Sequence, residues 1–127
     1  MTKQENGKDM ADMDREQTAR NYHRSGNNCA ISVYGAFDDK VSGTPPKPRG
    51  DGGKCGTVLA GMQILRECGI DASGFESRFL EKYGTIYCAE LRKKKHPCND
   101  LVGFSASMVE NELARVQNSD GQGQIIN

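Results

Sequence analysis

Punctuation constrains this chain more than any other feature: glycine, proline and asparagine interrupt it so often that only short helices fit between the breaks. From about Lys8 to Arg24 the composition is helix-forming, with Met10, Met13 and Tyr22 set among charges. Ser25-Gly26-Asn27-Asn28 stops that segment and caps the next, because glycine ends helices and asparagine begins them. A second helix is predicted from Cys29 to about Phe37, where Ala30, Val33, Tyr34 and Phe37 share one apolar face. Residues 42–54 hold three of the four prolines and cannot be helix or central strand, so they form a loop. A third helix follows from about Thr57 to Glu67, with Val58, Leu59, Met62 and Leu65 as its stripe and Cys68-Gly69 as its end.

Further along, Asp71 or Ser73 can cap a helix carrying Phe75, Phe79, Leu80 and Tyr83, which Gly84 breaks. Thr85 is read as the cap of a short helix through Ile86, Cys88 and Leu91 that ends in Arg92-Lys93-Lys94-Lys95. His96-Pro97 breaks the chain again, and Cys98 opens a last helix along which Leu101, Val102, Ser105, Met108, Val109 and Leu113 recur. No segment alternates as a strand would. The expected fold is all-α: a compact single-domain bundle of about five to six short helices over residues 9–118, with polar tails at 1–8 and 119–127 expected to be disordered.

At 127 residues the chain fits one domain, large enough to fold without disulfides. Seventeen basic and seventeen acidic residues cancel, which removes the electrostatic case for binding nucleic acid or an anionic membrane. No apolar run approaches the ~20 residues that span a bilayer, so no membrane insertion is expected. The polar start Met1-Thr-Lys-Gln-Glu-Asn-Gly-Lys8 lacks the apolar stretch of a secretory signal, and a reducing cytoplasm is the expected compartment. A homodimer stays open.

In that compartment five cysteines point to metal, catalysis or burial before structural disulfides. Four of them fall at predicted helix starts: Cys29 after Asn27-Asn28, Cys55 after Gly52-Gly53, Cys88 after Thr85 and Cys98 after Pro97. A helix N-terminus offers unpaired N–H groups and about half a positive charge, which favours the thiolate, the form that attacks disulfides and ligates metal. Taken singly, each would be a packed core thiol. Taken together they are redox candidates, and Gly52, Gly53 and Gly56 are candidate cofactor-binding glycines that allow close backbone approach. There is no C-x-x-C, so neither a thioredoxin-type motif nor zinc-ribbon spacing is present.

Three chemistries remain open on the residues: a thiol–disulfide or electron-transfer couple, an iron–sulfur cluster or zinc on Cys29, Cys55, Cys88 and Cys98, and a non-catalytic interaction protein. In the last, Pro45-Pro46-Lys47-Pro48 would dock on an aromatic groove. His96 lies near Cys98 and could tune it, whereas two histidines in all argue against a histidine-rich metal site. The run at 92–95 reads as a solvated helix end, and Cys68 has no assigned role.

With the cysteines laid out, nearly the whole chain resembles the small proteins named for a C-GCAxxG-C-C cysteine pattern. The resemblance runs through Asn28-Cys29-Ala30, Cys55-Gly56-Thr57-Val58-Leu59-Ala60-Gly61, Tyr83-Gly84 with Cys88-Ala89-Glu90-Leu91, and Cys98-Asn99-Asp100-Leu101-Val102. Around Cys55 the segment departs from the pattern in the residues that neighbour the cysteine. The resemblance implies redox activity at Cys29, Cys55, Cys88 and Cys98, and a redox partner in a transporter-associated system. It implies a class of protein, with no particular reaction.

Overall fold

Helix starts are set by the residues that can satisfy free N–H groups, and the first begins at a carboxylate. In the computed structural model, which describes residues 14–126 and the side chains among them through residue 116, Asp14 caps α1 (Arg15–Arg24) by accepting from the Gln17 N–H at 3.0 Å. The sequence-based start near Lys8, and the expected tail at 1–8, lie outside the described residues. Asn28 caps α2 (Cys29–Gly35) through its side chain, accepting from the Ile31 N–H at 2.8 Å. Then come α3 (Gly56–Glu67), α4 (Phe75–Tyr83), α5 (Cys88–Lys93) and α6 (Cys98–Ile126). The fold is all-α, and among the described residues the single β-type pairing is an isolated bridge between Lys54 and Tyr87.

Several local expectations shift. Asp71 and Ser73 do not cap α4: the cap position is Gly74, and the Asp71 carboxylate instead accepts from the Ser73 N–H and hydroxyl, closing a turn just upstream. Thr85 does not cap α5 either. Tyr87 takes that position, while the Thr85 hydroxyl accepts from the Tyr87 N–H at 3.2 Å and donates to Glu90. Cys88 is consequently the first residue of α5. The backbone of α6 stays helical to Ile126, past the Asn118 at which the sequence reading ended it; residues 119–126 contain glycine but no proline, so every N–H remains available to the helix.

α6 packs against α1, α2 and α3, α2 packs against α1 and α3, and α4 rests on α3. The face Ala30, Val33, Tyr34 and Phe37 is buried as its spacing predicts. On α3 the buried stripe is rotated: Val58, Ile64 and Leu65 are enclosed, whereas Leu59 and Met62 are only half-buried. Gly61 explains the rotation, since a Cβ there would stand 2.3 Å from the Phe75 ring, so the bundle closes over the glycine. Leu80, expected inside, is 44% exposed, because Phe75 and Phe79 already fill the face that α4 presents to the core. An aromatic cluster of Phe79, Tyr83 and Phe104 seals that end, with centroid spacings of 5.0 to 5.8 Å.

The proline-rich segment is tied down as a wall of the domain. Glu67, at the end of α3, accepts from the Ser42 and Gly43 N–H groups and from the Tyr34 hydroxyl at 2.6 Å. Gln63 reaches the Thr44 carbonyl at 2.8 Å. A turn from Lys47 to Gly50 then bends the stretch back toward α3, so Pro45-Pro46-Lys47-Pro48 does not continue as an extended strip.

No helix of the described residues is long and apolar enough to cross a membrane.

Candidate functional site

Two short segments, distant in sequence, are clasped together just before α3 and α5. The Cys55 N–H donates to the Ile86 carbonyl at 2.7 Å, the Cys88 N–H donates to the Gly53 carbonyl at 3.0 Å, and Lys54 bridges Tyr87 between them. This pairing sets Cys55, the cap residue of α3, beside Cys88, the first residue of α5. Gly52 and Gly53 make the approach possible by adopting φ of +68° and +93°, which side-chain-bearing residues rarely take. Open space surrounds a Cβ at Gly52, so its role is the turn. Neither glycine is among the residues that line the cavity described next.

Gly56 has a different purpose. A Cβ built there would come within 2.6 Å of the Cys29 sulfur and 3.1 Å of the Ala30 Cβ. The start of α2 thus lies directly on the start of α3, and Cys29 fills the space that glycine leaves. Cys98, first residue of α6, completes the set. All four predicted cysteines line one cavity of about 270 Å³. Cys68 does not join them: it ends α3 elsewhere, its thiol aimed at the Lys40 carbonyl at 3.7 Å.

Being at a helix start does not make these thiols alike. Cys55 is 3% exposed, yet its thiol is pulled down to about 6. The hydrogen bond from the Cys29 thiol is the main cause, opposed by burial and helped by the Thr57 hydroxyl and the N–H groups of Thr57 and Val58. Cys55 does not close a full capping hydrogen bond, but those N–H groups face it closely enough to favour its charge. The Thr57 hydroxyl lies 3.1 Å from the Cys55 sulfur and donates once that sulfur is a thiolate.

Cys29 is pushed strongly upward, because it donates to Cys55, is buried and feels the neighbouring thiolate. Burial raises Cys98 as well, with Cys55 adding to the effect and Arg92 opposing it. The expectation that helix starts favour the thiolate at all four positions is therefore corrected. Two adjacent buried thiols cannot both ionise, so Cys55 keeps the charge and Cys29 keeps the proton.

Sequence reasoning missed the cations of this site. Arg49, from the proline-rich loop, and Arg92, from the end of α5, both line the cavity. Arg92 belongs to the run read as a solvated helix end, and Arg49 adopts φ of +63°, a backbone conformation no local motif announces. His23 and His96 also line it; His96 packs edge-on against Tyr83 at 4.9 Å, and His23 Nδ1 faces the Asn99 side-chain amide at 3.2 Å. Leu91, Leu101 and Pro48 supply apolar wall, and no Asp or Glu contributes.

Four thiols are a chemically suitable donor set for zinc or an iron–sulfur cluster. Among the described residues, however, no group of three or more His, Cys, Asp or Glu side chains is arranged to hold a metal ion, so no step is routed through one. A larger cavity of about 420 Å³ lies elsewhere, beside Arg78, Glu112 and Arg115. Its charged groups are already engaged, since Glu112 accepts from both arginines and Asp71 accepts from Ser73, and no cysteine is among its lining residues.

Compared with protein-family models, with curated proteins and with solved structures, the chain matches none.

Proposed function

We propose that this protein performs thiol–disulfide chemistry in the four-cysteine cavity, with Cys55 attacking and Cys29 resolving. The observation that carries the reading is that Cys29, Cys55, Cys88 and Cys98 line one cavity, with Cys29 seated against Gly56 beside the Cys55 that caps α3. Within the pair Cys55 is favoured as thiolate and Cys29 as thiol. The resemblance to the C-GCAxxG-C-C proteins supports the same chemistry at the same four residues.

The Cys55 thiolate attacks one sulfur of a disulfide, forms a mixed disulfide and expels the other half as a thiolate, which takes a proton from solvent. Cys29 then attacks the Cys55 sulfur. The Cys29–Cys55 bond forms, the bond from Cys55 to the substrate sulfur breaks, and the Cys29 proton goes to the departing thiolate. One disulfide is reduced to two thiols and one protein dithiol is oxidised. Cys88 and Cys98, on the same cavity, are the thiols to which that disulfide can pass by further exchange, and a dithiol redox partner restores the reduced state.

Peptide mapping by mass spectrometry tests the reading. Fully reduced protein treated with a small neutral disulfide should yield a Cys29–Cys55 disulfide, and Cys29→Ser should stop at a mixed disulfide on Cys55. Native protein in which neither thiol reacts would end the proposal.

A further inference from the structure

The substrate class can be read from what surrounds the thiols. A cavity of about 270 Å³ has room for roughly ten heavy atoms, below the size of drug-like sites. Two arginines and two histidines border it without an Asp or Glu among the lining residues. Arg15, Arg20, Arg78 and Arg115 form ion pairs with Asp or Glu, whereas among the described residues Arg24, Arg49, Arg66 and Arg92 form none, and of these four Arg49 and Arg92 line the cavity. Their charge is thus available to a ligand. Arginine suits carboxylates because its planar fork can donate two parallel hydrogen bonds to one carboxylate. The two come from separate elements, the proline-rich loop and the end of α5, so the cavity is flanked from two sides.

From this geometry we infer that the cavity takes a small disulfide carrying carboxylate groups, which Arg49 and Arg92 orient so that one of its sulfurs meets Cys55. The inference rests on the thiol–disulfide reading above and names its substrate. An anionic disulfide would ordinarily be repelled by an attacking thiolate; the two arginines reverse that, and Leu91 and Leu101 cover the apolar middle of the molecule. The reaction is the one already balanced: the carboxylate-bearing disulfide is reduced to two thiols and Cys29–Cys55 is oxidised.

The test compares three disulfides of similar size on reduced full-length protein, by quenched flow and mass spectrometry: dithiodiglycolate, hydroxyethyl disulfide and cystamine, which are anionic, neutral and cationic. The expected order is dithiodiglycolate first by about tenfold over the neutral compound, with cystamine slowest. The gap should shrink as salt is raised and should fall to near unity in Arg49→Gln/Arg92→Gln. Wild-type protein alone carries the salt measurement, so a variant that fails to fold leaves the test intact. Equal rates for all three, or cystamine fastest, with Cys29–Cys55 still formed, would overturn the inference and leave the thiol–disulfide reading standing. A gap that survives loss of both arginines in folded protein would overturn it too. If no probe oxidises Cys29 and Cys55, the underlying reading itself falls.

Discussion

Removing one methyl-sized polar group from the core should move the reactivity of Cys55 along the pH axis. The Thr57 hydroxyl, fully buried, lies 3.1 Å from the Cys55 sulfur and is the cap's one side-chain neighbour besides Cys29 that favours the thiolate. Thr57→Val keeps the shape and deletes the donor. A hydrogen bond to a charged group contributes about 1.5–3 kcal/mol, and sulfur accepts weakly, so the lower end applies. At 1.36 kcal/mol per pH unit this raises the Cys55 midpoint by about one unit, from about 6 to about 7. At pH 6 the thiolate fraction then falls about fivefold. A more basic thiolate is also the better nucleophile, by about threefold per unit. The variant should therefore react about twofold more slowly than its Thr57 parent at the parent's own midpoint and about threefold faster at alkaline pH, with crossing profiles. The assay is the rate of mixed-disulfide formation at Cys55 with hydroxyethyl disulfide in a Cys29→Ser background, with and without Thr57→Val, as a function of pH. Thr57→Ser in the same background should behave as its parent. Serine at position 29 keeps an O–H donor beside Cys55 in place of the thiol, and any shift it causes is common to both proteins; the separation between their midpoints is the quantity tested. Superimposed profiles from folded proteins would refute the assigned role of Thr57.

Four further outcomes follow from named contacts. Gly56→Ala puts a methyl 2.6 Å from the Cys29 sulfur; it should destabilise by about 1–3 kcal/mol in denaturant melts and slow Cys29–Cys55 closure, and an unperturbed closure rate would contradict the packing described. Ile64→Ala removes a fully buried side chain and should cost about 2–5 kcal/mol in urea unfolding, so a loss well under 1 kcal/mol would mean that α3 packs differently. Glu67 is held down to about 2 from its ordinary 4.5 by hydrogen bonds from Gln63, Tyr34 and the Ser42 and Gly43 N–H groups. Because its folded value is depressed, its contribution is fully present above about pH 4.5 and is lost as pH falls through about 2; amide exchange at Ser42 and Gly43 should accelerate across that window in wild type and already be fast in Glu67→Gln. Chelator treatment should leave the thermal midpoint unchanged, as no described residues form a metal-holding group; a fall on chelation would show that the cysteines hold an ion after all.

Much of this architecture is legible locally. Asn28 as a cap, the buried face of α2, the breaks at Gly26 and Gly84 and the helix openings at Cys29 and Cys98 all depend on interactions within a few residues, which is the range over which sequence patterns are reliable. The errors fall where a neighbouring element decides. Leu80 has the spacing of a core residue but faces solvent because Phe75 and Phe79 fill the contact, and Asp71 and Ser73 bond each other rather than cap α4. Arg49 carried no signal, since what makes it part of the site is a loop folded over the cavity.

The same division runs through the cysteines. Their positions at helix openings follow from the order of residues, because glycine, asparagine and proline dictate where helices can begin. That Cys29, Cys55, Cys88 and Cys98 meet depends on the clasp between 53–55 and 86–88 and on the missing Cβ of Gly56, both long-range contacts that no local preference encodes. Which thiol holds the charge depends on burial and on the nearest neighbours in space. Those are properties of the folded arrangement, so the chain order places the thiols and tertiary structure assigns their proton.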